Sequence, residues 1–373
     1  MSQNNLLVAP RAAPLVGDIL YIIASFVPSI GDLCSLVLCS KRTYSAAIPV
    51  LYRTIHLIFH SAKTPNTKGK KPNNQKQILR QQRLFMQTIL YRNNRLARYV
   101  RVLNWTIWLN NDRRANFDSA YMWQLFKKLD QVRILHLDFH TGKILLPPPD
   151  GLFPRATHMA LTRHWPMHTA HKLLHSPARF THLHIQYPDP ISFRHRGTPP
   201  DRAGILAPIT GKCTNLRHLT LRKICFVFRL THILDEDEKI REEWMAILEA
   251  HKDTLQSVDL SFGRDNMDLS RWGSADYQDK RRTTLEGEVM PLLRGGGWKD
   301  LTSLVLEGVQ LEEKKIDGLK CALPHADVVV LPGQWWSHNE ESYQERFERS
   351  QMWGGRRQPW SDEAFRDPFN SEE

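Results

Sequence analysis

One short pattern, apolar-x-x-apolar-x-apolar, recurs along most of this chain and limits its possible folds more than any other feature. It occurs as Val100/Leu103/Trp105, Val132/Leu135/Leu137, Ala156/Met159/Leu161 and Phe180/Leu183/Ile185. It continues as Leu216/Leu219/Leu221, Leu255/Val258/Leu260, Leu301/Leu304/Leu306 and Ala326/Val329/Leu331. The last two positions of each unit alternate with period two, as a short strand with one buried face requires. Helix-like stretches lie between the units. Ile240, Trp244, Ile247 and Leu248 share one helical face, and the acidic residues 235–238 stand at the start of that helix, where its dipole favours them. Self-similarity of this kind marks a repeating architecture.

The pattern resembles the core of a leucine-rich repeat. The resemblance implies an α/β fold in which each unit gives one strand to a curved parallel sheet in a solenoid. Units are spaced from about 24 to about 46 residues apart, so the array is irregular, with insertions after Ile185, Leu221 and Leu260. In such a solenoid the strand residues flanking the core leucines face outward on the concave side. Here these are His136, Asp138, Thr162, His184, Gln186, Thr220, Arg222, Asp259, Ser261 and Glu307. Their mixed signs suit recognition of a protein target, and nucleic acid, which calls for a stripe of Lys and Arg, is not the expected partner.

Upstream of the array the periodicity changes. Ile19, Ile22, Ile23 and Phe26 recur at i, i+3, i+4 and i+7, one face of a helix. Pro28 stops that helix, and residues 29–32 supply turn and N-cap chemistry. Leu33, Leu36 and Val37 define a second helix, and Tyr44, Ala47, Ile48 and Leu51 a third, in which Pro49 is expected to make a kink or split. Between Ile19 and Val27 only Tyr21 and Ser25 are polar, so the first helix is apolar nearly all round. Three short helices cannot cover such a helix on every side, and the excess must meet another surface.

These residues resemble the F-box family in its fungal form. Leu15, Val16, Gly17, Asp18, Ile19 and Leu20 match its opening, with Val16 where proline is usual. Asp32 and Leu33 match the start of its second helix, followed by Leu36, Val37, Cys39, Ser40 and Lys41. Pro49, Leu51, Tyr52, Arg53 and Ile55 match its end. The resemblance implies docking to a Skp-type adaptor, and through it to a cullin scaffold, by Leu15, Val16, Ile19, Leu20, Ile23, Leu33, Leu36 and Val37.

Charge and composition complete the reading. The formal charge is +12, and residues 61–83 carry seven Lys and Arg with no acid and few apolar residues, so they read as a solvated linker. Five scattered cysteines without CxxC spacing point to neither a disulfide framework nor a zinc ribbon. No apolar run approaches membrane-spanning length, and the first residues lack a signal-peptide pattern. His158, His164, His168, His171 and His175 crowd together without a nearby carboxylate or thiolate, so no metal site is read there. Gly295, Gly296 and Gly297 follow a helix-like run and lack the Lys-Ser/Thr of a phosphate loop; they read as a helix C-cap. Asp265, Asn266 and Asp268 lack calcium-loop spacing.

The expected organisation is a helical domain over 13–57, a basic linker over 61–83, a repeat domain over 84–336 closed by Trp335 and Trp336, and a disordered tail over 337–373. The expected function is substrate recognition for an SCF-type ubiquitin ligase, in cytoplasm or nucleus, with no catalysis, cofactor or membrane. Two alternatives are an F-box protein serving assembly without ubiquitin transfer, and a basic nucleic-acid-associated scaffold.

Overall fold

A computed structural model describes residues 15–58, 74–109, 119–141, 146–163, 165–187, 204–223, 230–261, 285–307 and 311–331. The protein is α/β. Nine strands form one parallel sheet whose spatial order is the order of the sequence. They are β1 (Thr54–Leu57), β2 (Val102–Leu109), β3 (Ile134–Thr141), β4 (His158–Arg163), β5 (His182–Tyr187), β6 (His218–Lys223), β7 (Ser257–Ser261), β8 (Ser303–Glu307) and β9 (Asp327–Leu331). Among the described residues, helices lie between β1 and β2, β2 and β3, β4 and β5, β6 and β7, β7 and β8, and β8 and β9, and turns and irregular chain precede β4 and β6.

The chain divides into two compact units. The first takes residues 1–106, 117–135 and 152–155. It begins with α1 (Leu15–Ser25), α2 (Ile30–Cys39) and α3 (Lys41–Leu51). Ser29 caps α2, its Oγ accepting from the Asp32 amide, and Ser40 and Thr43 form a reciprocal capping box on α3. The helix runs through Pro49, which lies two residues from its end and so removes only a last-turn hydrogen bond.

The helical segment expected over 13–57 stops at Leu51, and β1 follows. Ile55 and Leu57 pair with Leu103 and Trp105 of β2, so the sheet starts one strand before the first recognised repeat. The linker expected over 61–83 is likewise helical from Asn74, within α4 (Asn74–Gln87). Gln82, Phe85 and Met86 are buried there, and Ile78 and Leu79 are half-buried, at helical spacing. Gln82 Nε2 donates to the Leu57 carbonyl at 3.2 Å and the Thr106 carbonyl at 2.7 Å, tying α4 to the ends of β1 and β2. Beneath it Phe85, Trp105 and Phe126 pack ring to ring, Trp105 meeting Phe126 edge-on at 5.7 Å; Phe126 lies on α5 (Ser119–Lys128).

The second unit holds β4 to β9 together with α6 (Met167–Leu173), α7 (Leu230–His251), α8 (Met290–Arg294) and α9 (Glu313–Ala322). Its register stacks the repeat leucines into two continuous rows. Leu183, Leu219, Val258 and Leu304 are partners in one, and Ile185, Leu221, Leu260 and Leu306 in the other. All are essentially inaccessible to solvent. The last unit departs from expectation: Val328 and Val330, not Val329 and Leu331, continue these rows. In the run Val328, Val329, Val330, Leu331 every residue is apolar, so the pattern carries no phase, and a one-residue slip exchanges the two faces. Gly295 ends α8 as a C-cap, donating to the Pro291 carbonyl. Trp335, Trp336 and the tail over 337–373 lie outside the described residues, as do Asp265, Asn266 and Asp268.

Candidate functional site

The three N-terminal helices share a small buried centre. Ala24 of α1, Leu33 of α2 and Ala47 of α3 form the buried centre, with Val27, Leu36, Val37, Val50 and Leu51 packed around it. Alanines at the crossing let helices approach closely, and they leave no room for the larger side chains of α1 to turn inward. The apolar excess of that helix is therefore left on its outside. Ile19, Ile22, Ile23 and Phe26, the face defined by i, i+3, i+4 and i+7 spacing, are all exposed, Phe26 to 78% and Ile22 to 53%. Ile30 and Leu38 of α2 are exposed to 72% and 85%, and Tyr44 of α3 is also exposed. With Tyr21, eight large side chains are thus left exposed on the three helices.

The residues carried over for adaptor docking separate into two groups. Ile19 and Ile23 lie on the exposed surface, and Leu20 is half-buried. Leu33 is buried in the core, with Leu36 and Val37 half-buried against it. Leu15 and Val16 open α1, and their side chains lie outside the described residues. Ile22, Phe26, Ile30, Leu38 and Tyr44 were not singled out for docking. The signal that could have found them is the excess of apolar residues around α1, together with Leu38 standing off the Leu33/Leu36/Val37 face.

The second candidate surface is the sheet face opposite the leucine rows. Strand alternation places His184 and Gln186, Thr220 and Arg222, Asp259 and Ser261, and Glu307 there. His136 and Asp138 alternate with the buried Leu135, Leu137 and Phe139 on β3, and Thr162 follows the buried Leu161 on β4. None of these ten side chains is exposed. Asp138, Thr162, His184, Ser261 and Glu307 are buried, and the others are half-buried. Some of these polar groups bond to one another. Thr162 Oγ1 lies 3.1 Å from Asp138 Oδ1 and 3.2 Å from His136 Nε2, and Arg222 reaches Asp259 at 3.4 Å. Burial, with Arg222 and His136 nearby, holds the His184 imidazole well below its usual range, so it is neutral at pH 7.

A histidine ladder crosses the entry end of this face. His158, His182 and His218 are register partners on β4, β5 and β6, with ring centroids stacked at 3.8 and 4.0 Å. Thr157 and Thr181 hydroxyls sit 2.8 and 2.9 Å from Nδ1 of the following histidine. Burial, then its neighbours, pushes His158 down to about 4 and His182 to about 2. His171 and His175 serve local contacts, to the Gly204 carbonyl and the Ser176 hydroxyl. Among the described residues no group of three or more His, Cys, Asp or Glu could hold a metal ion, and no helix is long and apolar enough to cross a membrane. No protein-family model matches the chain, and no curated protein matches it.

Proposed function

We propose that the chain is a substrate-recognition subunit of an SCF-type ubiquitin ligase, a leucine-rich-repeat-like array carrying an F-box-like segment. In this reading α1 and α2 dock a Skp-type adaptor, and the repeat region receives a target protein. The observation that carries it is the uncovered apolar surface of Ile22, Phe26, Ile30 and Leu38 on helices that resemble an F-box in sequence. Covering one such side chain fully contributes about 1.5–3 kcal/mol, so four of them offset about 6–12 kcal/mol of the cost of association at most. The chain itself would do no chemistry. Holding a target beside the ubiquitin-loaded conjugating enzyme raises the effective concentration of the target's lysines.

The test is affinity purification of the tagged chain beside an Ile22→Asp, Phe26→Asp variant, with identification of the proteins recovered. Both positions are exposed, so the variant keeps the core of Ala24, Leu33 and Ala47 intact. Adaptor and cullin recovered with the wild type and lost from the variant is the expected result. Recovery of neither with the wild type would sink the reading.

A further inference from the structure

Three arginines stand in one row at the entrance of three neighbouring strands. Arg53 precedes β1, Arg101 precedes β2 and Arg133 precedes β3. The Arg101 amide donates to the Arg53 carbonyl at 2.8 Å, and the Arg133 amide to the Arg101 carbonyl at 2.8 Å. Adjacent strands lie about 4.8 Å apart, so the row spans about 10 Å. All three side chains are half-buried. Burial, then Arg133, Arg155 and Arg53, lowers the Arg101 guanidinium from its usual range, while Asp130 acts in the opposite direction. Arg155 is therefore a fourth cation within electrostatic reach, and it is exposed. Arg101 Nη1 also donates to the carbonyl of Arg98, whose own guanidinium lies over the Tyr99 ring.

This row sits in the part of the chain that holds all of its excess charge. The first unit carries 19 Lys and Arg against 4 Asp, a formal +15. The second carries 32 against 35, or −3, and the two give the +12 of the whole. The cation row does not recur in the second unit. The equivalent pre-strand positions there are Thr157, Thr181, Arg217, Gln256, Thr302 and Ala326. The stacked histidines that follow Thr157, Thr181 and Arg217 are neutral at pH 7.

We infer that the Arg53–Arg101–Arg133 row, with Arg155, is a docking surface for a short acidic segment of a partner protein. Guanidinium forks match carboxylate and phosphate oxygens in a bidentate manner, which a row of lysines would not do. A length of about 10 Å covers about three residues of an extended peptide at about 3.3 Å each. Surfaces that track single-stranded nucleic acid span about 4–16 nucleotides per domain, so a row confined to three strands is too short for that class. The inference is independent of the adaptor reading, since it uses none of the exposed residues of α1 to α3.

The test uses the purified full chain and fluorescein-labelled probes followed by anisotropy. One peptide carries a run of glutamates, a second carries phosphoserines at the same positions, and an oligouridine RNA is the third probe. At least one peptide is expected to bind, more weakly at physiological than at low salt. Arg101→Gln and Arg155→Gln should each weaken that binding about tenfold, the scale of one charge-assisted pair. Because Arg155 is exposed, its variant stays informative even if Arg101→Gln disturbs the fold. The preferred peptide identifies the anion as carboxylate or phosphate. Failure of both peptides to bind, variants that bind as the wild type does, or RNA bound more tightly than either peptide would overturn the inference.

Discussion

The N-terminal helices and the strands of the second unit are similarly rich in large aliphatic side chains and use them in opposite ways. Along β5 to β8, Leu183, Ile185, Leu219, Leu221, Val258, Leu260, Leu304 and Leu306 leave almost no surface to water. Along α1 and α2, Ile22, Phe26, Ile30 and Leu38 leave more than half of theirs exposed. The difference lies in the partner each element has within the chain. A strand between two others in register has its apolar neighbours supplied every 4.8 Å or so, and one more repeat adds one more layer. A three-helix segment joined through Ala24 and Ala47 has no such supply, so much of its apolar surface stays exposed.

The contrast can be broken by substitution. The largest effect is expected for Leu260→Ala, at the centre of a stacked row, with a loss of about 2–5 kcal/mol in urea unfolding. A loss well below that would mean that the rows are less tightly packed than their burial implies. Next comes Gln82→Leu, which removes the donor for two buried carbonyls and should cost about 1–3 kcal/mol by the same measurement.

A graded effect follows from the histidine ladder. His158 and His182 have folded pKa values of about 4 and about 2, below the unfolded value of about 6.5. The neutral rings are favoured by folding, so the unfolded chain binds more protons between these limits. Stability should therefore fall as pH drops below about 6.5 and towards about 4, and His182→Asn should flatten that dependence in urea titrations at several pH values. An unchanged slope would remove the ladder from the acid response. The smallest effect is expected for Phe26→Ala, within about 0.5 kcal/mol of wild type, because the side chain is exposed. A loss like that of Leu260→Ala would place Phe26 in a core and erase the comparison.

The sheet was legible from the chain because period-two alternation with a repeated offset has one structural meaning. It failed at the ends for identifiable reasons. Ile55 and Leu57 of β1 follow directly on a helical motif and were absorbed into it. The unbroken Val328–Leu331 apolar run of β9 contains no polar residue to mark which side faces out. For α1, helical spacing correctly grouped Ile19, Ile22, Ile23 and Phe26, but an amphipathic pattern does not say which way a face points when both are apolar. The choice was made by Ala24, small enough for close contact with α3. The burial of Asp138, His184 and Glu307 was not readable either, since it depends on neighbours distant in sequence. The arginine row needed strand register, which brings together residues 48 and 32 positions apart.

The central claim, that the exposed face of α1 and α2 is a docking surface, is tested most directly by calorimetric titration of a purified Skp-type adaptor into the full chain, wild type and Phe26→Asp, Leu38→Asp. The account predicts a saturable complex with the wild type and none with the variant, at matched urea midpoints. Equal binding by both, or heat from neither, would contradict it.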